Sequence, residues 1–217
     1  TKEAIKTLNN YLTKQPYFLN MEIERNVSLL VDWMDQELLR SDFTVQHTEK
    51  KETITISNLK LNLRVDRIDM DKDKKSILID YKTGLFNTNE WFTSRIQDPQ
   101  LPLYSTKLLP DGIAFAYISK GSLGWNSVYN PKIKNPFSPN ANVKINSNIP
   151  ELTGWPEWER LLDFWKKHLS LLADEFIQGE LSINPIKQSM TCRNCGYKML
   201  CRIGDNNSDA CDLENIE

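Results

Sequence analysis

The pattern of apolar residues in the first half of the chain sets the strongest limit on its fold. Residues 53–56 and 59–65 alternate apolar and polar side chains with a period of two, which is typical of antiparallel strands with one solvated face. The charged residues 71–75 predict a turn, and the unbroken apolar run at 77–79 predicts a central strand that is buried on both faces. We therefore expect a sheet with at least one fully enclosed strand.

Helical periodicity flanks this region on both sides. Apolar residues recur at helical spacing within residues 23–39, and we expect that stripe to pack against the rest of the protein. The stripe consists of Val27, Leu30, Val31, Met34 and Leu38. A second helix is predicted late in the chain, with Pro156 in its first turn and a longer apolar stripe facing the core. That stripe consists of Trp158, Leu161, Leu162, Trp165, Leu169, Leu172 and Phe176.

Shorter elements are predicted between the sheet region and the late helix. A helix is expected near residues 89–109, interrupted by Pro99 and Pro102, and a strand is expected at 113–119. Residues 121–148 are rich in Pro and Asn and predict a loop or an irregular segment. Together these elements predict an α/β fold of mixed α+β type, in which helices flank a central mixed β-sheet.

The composition is that of one globular domain with a small appendage. The chain has 217 residues, of which 40% are apolar, and 27 Lys and Arg oppose 29 Asp and Glu for a net charge of −2. A mean hydropathy of −0.51, without an apolar run of roughly 18 residues, argues against a membrane-embedded protein. The balanced charge provides no bulk attraction to nucleic acid, so a polyanion would have to bind at a local patch.

The distribution of residue types suggests three units. We expect a helical segment at 1–42, a core at 43–185 and a cysteine-rich module at 186–217. The N-terminus has neither an initiator Met nor a signal-peptide hydrophobic region, which predicts a fragment of a longer protein. All four Cys lie in the last unit, and such bunching is typical of metal or cluster ligation in a reducing compartment such as the cytoplasm.

Two short motifs place acidic and basic side chains on neighbouring strands. On a strand, Asp80 and Lys82 project to the same side while Tyr81 points away. If the preceding strand pairs through the lysine-rich turn, Asp66 comes alongside Asp80, and two carboxylates and one lysine share a site. Such oxygen ligands suit Mg²⁺ or Mn²⁺, and the lysine can position and help deprotonate a water. The alternative is an ordinary salt-bridged pair on a solvated strand.

Gln100 and Tyr104 form a third motif. They are four residues apart and share one helix face if Pro99 opens a helix. Taken alone, such a pair is more often an ordinary helix surface than a functional site.

The three motifs resemble those of the PD-(D/E)XK nuclease superfamily, and within it the RecB-like branch that includes AddB-type nuclease domains. In that branch a D-R-x-D strand, a D-Y-K-T-G strand and a Q-x-x-x-Y helix occur in this order, as they do here at 66–69, 80–84 and 100–104. The resemblance implies a restriction-endonuclease-like core and a Mg²⁺-dependent DNA exonuclease in repair and recombination, coupled to a helicase-like region outside this chain. The alternative is a catalytically inactive module that guides DNA within a larger helicase-nuclease.

The resemblance also implies roles for individual residues. Asp66 and Asp80 would bind the metal, with the carbonyl of Tyr81 as a further ligand, and Lys82 would be the catalytic lysine. The Gln and Tyr of the third motif would position the active site or the DNA strand. Phosphate contacts are expected from the local basic residues Arg64, Arg67, Lys82 and Arg95.

One part of the family pattern is not evident in the sequence. The family has an upstream helix with a His or Glu that completes the metal site. Here His47 is expected on a strand and His168 on the late helix, so neither fits that place. Glu49 lies just before the hairpin and is expected on the strand surface, with an acidic neighbour of the metal site as the alternative.

The cysteine-rich module has the spacing C-x2-C-x5-C at Cys192, Cys195 and Cys201. Thiolates at this spacing suit a soft metal or an iron-sulfur cluster. The arrangement resembles the AddB type, in which a distant N-terminal Cys supplies the fourth ligand of a 4Fe-4S cluster. Here the fourth ligand would lie upstream of Thr1 or be Cys211, or the site would stay empty. A Zn²⁺ site made of all four Cys is the chemical alternative, and free thiols are another.

Overall fold

A computed structural model describes residues 16–84, 88–137, 152, 157–180, 182–186, 188–193 and 195–203. In chain order its elements are α1 (Pro16–Leu38), β1 (Phe43–Ile56), β2 (Leu59–Asp71), β3 (Ser76–Lys82), a 3₁₀-helix (Thr88–Phe92), α2 (Gln100–Leu108), β4 (Gly112–Ser119), β5 (Ser122–Tyr129), α3 (Trp158–Gln178), α4 (Gln188–Thr191) and α5 (Lys198–Cys201). Among these residues, no helix has the length and apolar character needed to cross a membrane.

The five strands form one sheet in the order β1-β2-β3-β4-β5. The β3–β4 pair is parallel and the other three pairs are antiparallel, which confirms the predicted mixed sheet. The predicted turn before β3 is also present, because one Asp71 carboxylate oxygen accepts hydrogen bonds from the N–H groups of Asp73 and Lys75. As predicted, β3 is central, and its residues 77–79 are almost completely buried.

Helices cover the sheet on both faces, so that two apolar clusters enclose β3. On one face, α2 and α3 pack over a cluster that includes Leu78, Phe115 and Trp165. On the other face, α1 places Trp33 in a cluster with Ile79 and Trp125. Because side chains alternate along a strand, consecutive residues of β3 contribute to opposite clusters. The same alternation separates the functional side chains described below.

The prediction that the aliphatic stripe of α1 faces the core is wrong. Each of its five residues is more than half exposed, from 54% at Val27 to 78% at Leu38. The buried face of α1 instead contains Trp33 and Glu37, which are four residues apart and therefore on one side of the helix. Trp33 packs on Trp125 at a ring separation of 4.8 Å, and Glu37 pairs with buried Arg67. These contacts determine which side of α1 faces the sheet.

The prediction of a loop or irregular segment after β4 is also partly wrong. Residues 122–129, expected to be irregular, form β5 and pair with β4 through a tight turn in which Gly121 has a positive φ of 81°. Residues 138–148 of the same predicted irregular segment lie outside the described residues. Pro99 precedes α2 as expected, but Pro102 lies inside the helix, in the first turn, where its missing N–H has no intrahelical partner to lose.

The late helix α3 is present as predicted, and most of its apolar stripe is buried. Trp158, Leu161, Trp165 and Leu169 are at most 5% exposed. Phe176 is 73% exposed, so the prediction that it faces the core is wrong. It lies in the last turn, before the C-cap Gly179, where the helix ends. Pro156 lies outside the described residues.

Candidate active site

The first two motifs meet where β2 and β3 stop pairing. The last registered pair of these strands is Arg67 with Ile79, whereas β3 stays paired with β4 as far as Lys82. Just past that point, Asp66 Oδ2 accepts a hydrogen bond from the backbone N–H of Tyr81 at 3.1 Å. The Asp66 carboxylate therefore reaches across the opening between the strands to the segment that carries Asp80 and Lys82.

Asp80 holds a buried charge that is incompletely compensated. Its side chain is almost inaccessible, and Oδ2 lies 3.0 Å from Lys82 Nζ, but the angles do not make a hydrogen bond, and no other described residue donates one to this oxygen. Burial, with a further contribution from the carboxylates of Asp66 and Asp98, raises the pKa of Asp80 to about 6, although Lys82 opposes this change. An oxygen in this state suits a cationic ligand.

Lys82 is surrounded by three oxygen-bearing side chains. Besides Asp80, its Nζ lies 3.2 Å from Asp98 Oδ2 and donates to Gln100 Oε1 at 3.5 Å. Burial alone would lower the pKa of Lys82, but the ion pair with Asp80 and the charge of Asp98 raise it above its usual value. The lysine is thus held in its protonated form.

Asp98 is a site residue that the sequence reasoning missed. It lies in the loop before α2 with a positive φ of 43°, a backbone conformation that is uncommon for residues other than Gly. The available signal was its position two residues before Gln100, immediately ahead of the Pro that opens the helix.

The third motif lies beside this group. Gln100 and Tyr104 share one face of α2, as predicted, and Gln100 Nε2 donates to Tyr104 Oη at 3.2 Å. The Tyr104 hydroxyl donates in turn to the carbonyl of Arg64 at 2.7 Å, which ties α2 to β2. Burial, helped by the carboxylates of Asp80 and Asp66, raises the pKa of Tyr104, so its hydroxyl stays protonated as a donor.

The opposite face of the same strands carries a second buried charge cluster. Arg67 binds Asp69 through two hydrogen bonds of 2.7 and 2.8 Å, and it donates to Glu37 at 2.7 Å and to the Tyr81 hydroxyl at 2.9 Å. Arg40 joins both Glu37 and Asp69, at 2.9 and 2.8 Å. Burial alone would lower the pKa of Arg67, but the bonds of Arg67 to Asp69, Tyr81 and Glu37 raise it above its ordinary value.

This cluster corrects two expectations. An upstream helix with a buried acidic residue does exist, because α1 carries Glu37, but its carboxylate binds Arg67 and Arg40 in the cluster on the opposite face of the strands from Asp80. Arg67 is 9% exposed, so it is not available for the phosphate contact predicted for it. The sequence signal for this cluster was the Glu37-x-x-Arg40 spacing on one helix face.

Glu49 and both histidines lie apart from the group. Glu49 pairs with Arg64 at 2.7 Å on the exposed strand surface, as expected. His47 is an exposed residue of β1. His168, on α3, has its Nδ1 2.9 Å from the carbonyl oxygen of Ser94.

The donor set around Asp80 fits a hard divalent cation in its chemistry. Asp66 and Asp80 supply carboxylate oxygens, and the buried Asp80 Oδ2 lacks a hydrogen-bond donor among the described residues. Within the part of the chain that the structure describes, no three His, Cys, Asp or Glu side chains form a complete metal-binding group. Mg²⁺ commonly binds through one or two carboxylates, with water and substrate phosphates as its other ligands, so a two-carboxylate site is sufficient.

The cysteine-rich tail is not assembled as a metal site in the described residues. Cys192 and Cys201 are half-buried, Cys195 is exposed, and all three are free thiols. Cys195 Sγ accepts the N–H of Tyr197 at 3.4 Å, and the three thiols do not converge on a common point. Cys211 lies outside the described residues.

Comparison with known proteins agrees with the arrangement of the motifs. None of the curated proteins matches the chain. The chain is similar to a solved structure described as "Crystal structure of SSO0001", with 16% identity and a TM-score of 0.38, over 71% of this chain and 59% of that chain. A family model for the PD-(D/E)XK nuclease superfamily matches residues 3–202, which include all three motifs. The chain therefore belongs to the PD-(D/E)XK nuclease superfamily.

Proposed function

We propose that this protein is a Mg²⁺- or Mn²⁺-dependent DNA nuclease whose active site is the group around Asp80. The observation that carries the proposal is the buried Asp80 oxygen without a hydrogen-bond donor, beside Lys82 and within reach of Asp66. Asp66 and Asp80 would hold the cation, with the carbonyl of Tyr81 as a further ligand. When bound, the cation would neutralise charge on the scissile phosphate and make a water more acidic.

Lys82 would act as a positioned cation. Its raised pKa keeps it protonated near neutral pH, so it can donate to a phosphate oxygen or orient the attacking water, and it can stabilise the negative charge that develops on the phosphate oxygens. Gln100 would hold the ammonium in place through its Oε1, since its amide is itself anchored on Tyr104. This chain of bonds makes Gln100 and Tyr104 positioning residues for Lys82.

Exposed basic residues near the strand opening would bind the DNA backbone. The Arg64 side chain is 63% exposed, and Glu49, its ionic partner among the described residues, is almost as exposed, so a phosphate can compete for Arg64. Contacts of this kind depend on counterion release and should weaken steeply as salt increases.

A cleavage assay with a matched lysine control tests the proposal. We expect the wild-type protein to degrade single-stranded DNA with Mg²⁺ or Mn²⁺ and to be inactive in EDTA. Lys82→Ala should lose activity by about 100-fold or more, because an electrostatic stabiliser of the transition state is removed. Lys120→Ala, in the exposed β4–β5 turn, should cleave like wild type. Equal rates for Lys82→Ala and wild type would reject the assignment.

The finer role that we propose is an exonuclease of the RecB-like type in DNA repair and recombination, coupled to a helicase-like region outside this chain. Linear and covalently closed circular single-stranded DNA of one sequence distinguish the two modes of attack. An exonuclease needs an end and should leave the circle intact. Cleavage of both substrates at the same rate would instead show an endonuclease.

A second candidate is a nuclease-fold module that guides DNA without cutting it. It is favoured by the position of Lys82, which is paired with carboxylates on two sides, and by the lack of a three-ligand metal group in the described residues. In that case the wild-type protein should bind labelled DNA in fluorescence anisotropy but should not cleave it with either metal. The Lys82→Ala variant should bind the same DNA with the affinity of wild type.

The division into three units and the cluster in the tail also remain proposals. Iron and sulfide analysis of anaerobically purified protein would test a 4Fe-4S cluster at Cys192, Cys195 and Cys201 with a further thiolate. Stoichiometric zinc without sulfide would favour the alternative Zn²⁺ site. A protein that contains neither iron nor zinc would have free thiols.

A further inference from the structure

The two metal-binding carboxylates of the proposed function lie on strands that no longer pair at the site. Backbone pairing of β2 with β3 ends at Arg67 and Ile79, one residue short of Asp66 and Asp80. The β2–β3 backbone pairing therefore does not reach the two carboxylate residues themselves, and side-chain bonds across the opening contribute to their spacing. Two such bonds are present, and both end on Tyr81.

The first bond is on the site side of the opening. The backbone N–H of Tyr81 donates to Asp66 Oδ2 at 3.1 Å, so the Asp66 carboxylate is held by the residue that follows Asp80. This bond engages one carboxylate oxygen of Asp66 and leaves the other for a cation.

The second bond is on the back of the sheet. The Tyr81 hydroxyl accepts from Arg67 Nη1 at 2.9 Å, and the ring also makes an edge contact with Trp33 of α1 at 6.3 Å. Arg67 is the neighbour of Asp66 on β2. The bond therefore joins the last backbone-paired residue of β2 to the residue after Asp80, and it bridges the two strands at the end of their pairing.

Arg67 is itself held rigidly, because every nitrogen of its guanidinium is engaged. Two of them bind Asp69, and Glu37 of α1 accepts from the guanidinium at 2.7 Å. The Glu37 and Asp69 carboxylates are also bound by Arg40, which lies 4.0 Å above the ring of Phe43. A charge-balanced, buried network of this kind allows little movement of the guanidinium.

We propose that Arg67 and Tyr81, supported by Glu37, form a clamp that sets the spacing of Asp66 and Asp80 and through it the affinity for the divalent cation. The side chains of Tyr81 and Glu37 are positioning groups in this proposal, which rests on the proposed metal-binding role of the two carboxylates and leaves the Tyr81 backbone carbonyl unchanged. Groups that orient metal ligands without touching the metal commonly change metal affinity by about 10- to 100-fold when they are removed.

Tyr81→Phe tests the clamp, because it removes only the hydroxyl and keeps the ring against Trp33. Mn²⁺ titration of the whole chain by calorimetry should show affinity about tenfold weaker than wild type. Hydrogen exchange at residues 80–83, at the end of β3 and just beyond it, should be faster. Glu37→Gln should change both measurements in the same direction by a smaller factor, since the amide still accepts one bond from Arg67.

Tyr129→Phe is the matched control, because Tyr129 lies on β5 and its hydroxyl makes no hydrogen bond to another described residue. It should bind Mn²⁺ and exchange like wild type. Equal Mn²⁺ affinity of Tyr81→Phe and wild type would overturn the proposal. If wild type itself binds no Mn²⁺, the proposed function fails, and the exchange data then decide on the clamp alone: unchanged exchange at residues 80–83 rejects it, and faster exchange supports it.

Discussion

The two faces of β3 carry buried charges of opposite character. On the α1 face, Arg40 and Arg67 face Glu37 and Asp69, so two positive charges balance two negative ones. On the α2 face, Lys82 alone lies among the carboxylates of Asp66, Asp80 and Asp98. One strand therefore separates a balanced cluster from one with an excess of negative charge.

This difference separates charges that hold the fold from charges that await a ligand. The balanced cluster satisfies nearly all its polar atoms, with Arg40 Nε as the exception among the described residues, and it joins α1 to the sheet. The negative cluster leaves Asp80 Oδ2 without a donor and raises the pKa of that carboxyl. Since an incompletely compensated buried charge destabilises a protein, its presence indicates a function.

The largest expected effect comes from breaking the balanced cluster. Arg67→Met should lower the free energy of unfolding by about 3 to 5 kcal/mol, because Glu37 and Asp69 then remain buried with a single arginine. Urea denaturation measures the change. Arg25→Met removes an ion pair with Glu22 whose side chains are half exposed, and it should lower stability by no more than about 0.5 kcal/mol. Equal losses in the two variants would show that the buried cluster has no special role.

Removing a charge from the negative cluster should instead stabilise the metal-free protein. Asp80→Asn is expected to raise the unfolding free energy of the metal-free protein by about 1 to 2 kcal/mol at pH 7.5, because an ionised carboxylate no longer has to be buried. It should also abolish Mn²⁺ binding in calorimetry. Asp163→Asn on the exposed surface of α3 should change neither quantity. A destabilised Asp80→Asn protein would mean that Lys82 fully compensates the charge.

The stability difference between Asp80→Asn and wild type should depend on pH. The Asp80 pKa is raised in the folded state from an ordinary value of 3.8 to about 6, so protonation stabilises the fold. That stabilisation is complete below pH 3.8 and is lost as the pH rises through 6. The advantage of the variant over metal-free wild type should therefore shrink between pH 7 and pH 4. Urea denaturation at several pH values measures this difference. A stability difference that does not change with pH would contradict the raised pKa of Asp80.

The smallest expected effect concerns Asp98, at the edge of the negative cluster. Its side chain is 30% exposed, so Asp98→Asn should change the unfolding free energy by no more than about 0.5 kcal/mol. Loss of its charge should weaken Mn²⁺ binding only about two- to fivefold, since it acts from a distance through a screened field. A loss as complete as that of Asp80→Asn would instead make Asp98 a metal ligand.

Much of the sheet could be predicted from local patterns. The alternation before residue 66 and the apolar run at 77–79 reflect how a strand distributes its side chains, which is a property of the backbone. Strand β5 was missed because Gly124 and Asn126 interrupt its pattern. Its pairing with β4, rather than its own propensity, makes it a strand.

The rotation of α1 could not be predicted in the same way. The helix has an aliphatic stripe and, on another side, the pair Trp33 and Glu37, and hydrophobicity alone favours the aliphatic stripe. The helix buries Glu37 because Arg67, 30 residues later, supplies a partner. A buried carboxylate is acceptable only with such a partner, and local sequence does not reveal it.

By itself, the sequence determined the chemical groups of the site: two carboxylates, a lysine, and a Gln and Tyr four residues apart, in the order of a nuclease superfamily. Only the tertiary structure decided which charges are balanced and which are not. The reason is physical, because ion pairing and desolvation depend on distances of about 3 to 4 Å between residues far apart in the chain. Asp69 and Asp80 look alike as aspartates on strands, yet one is neutralised by two arginines and the other remains available for a cation.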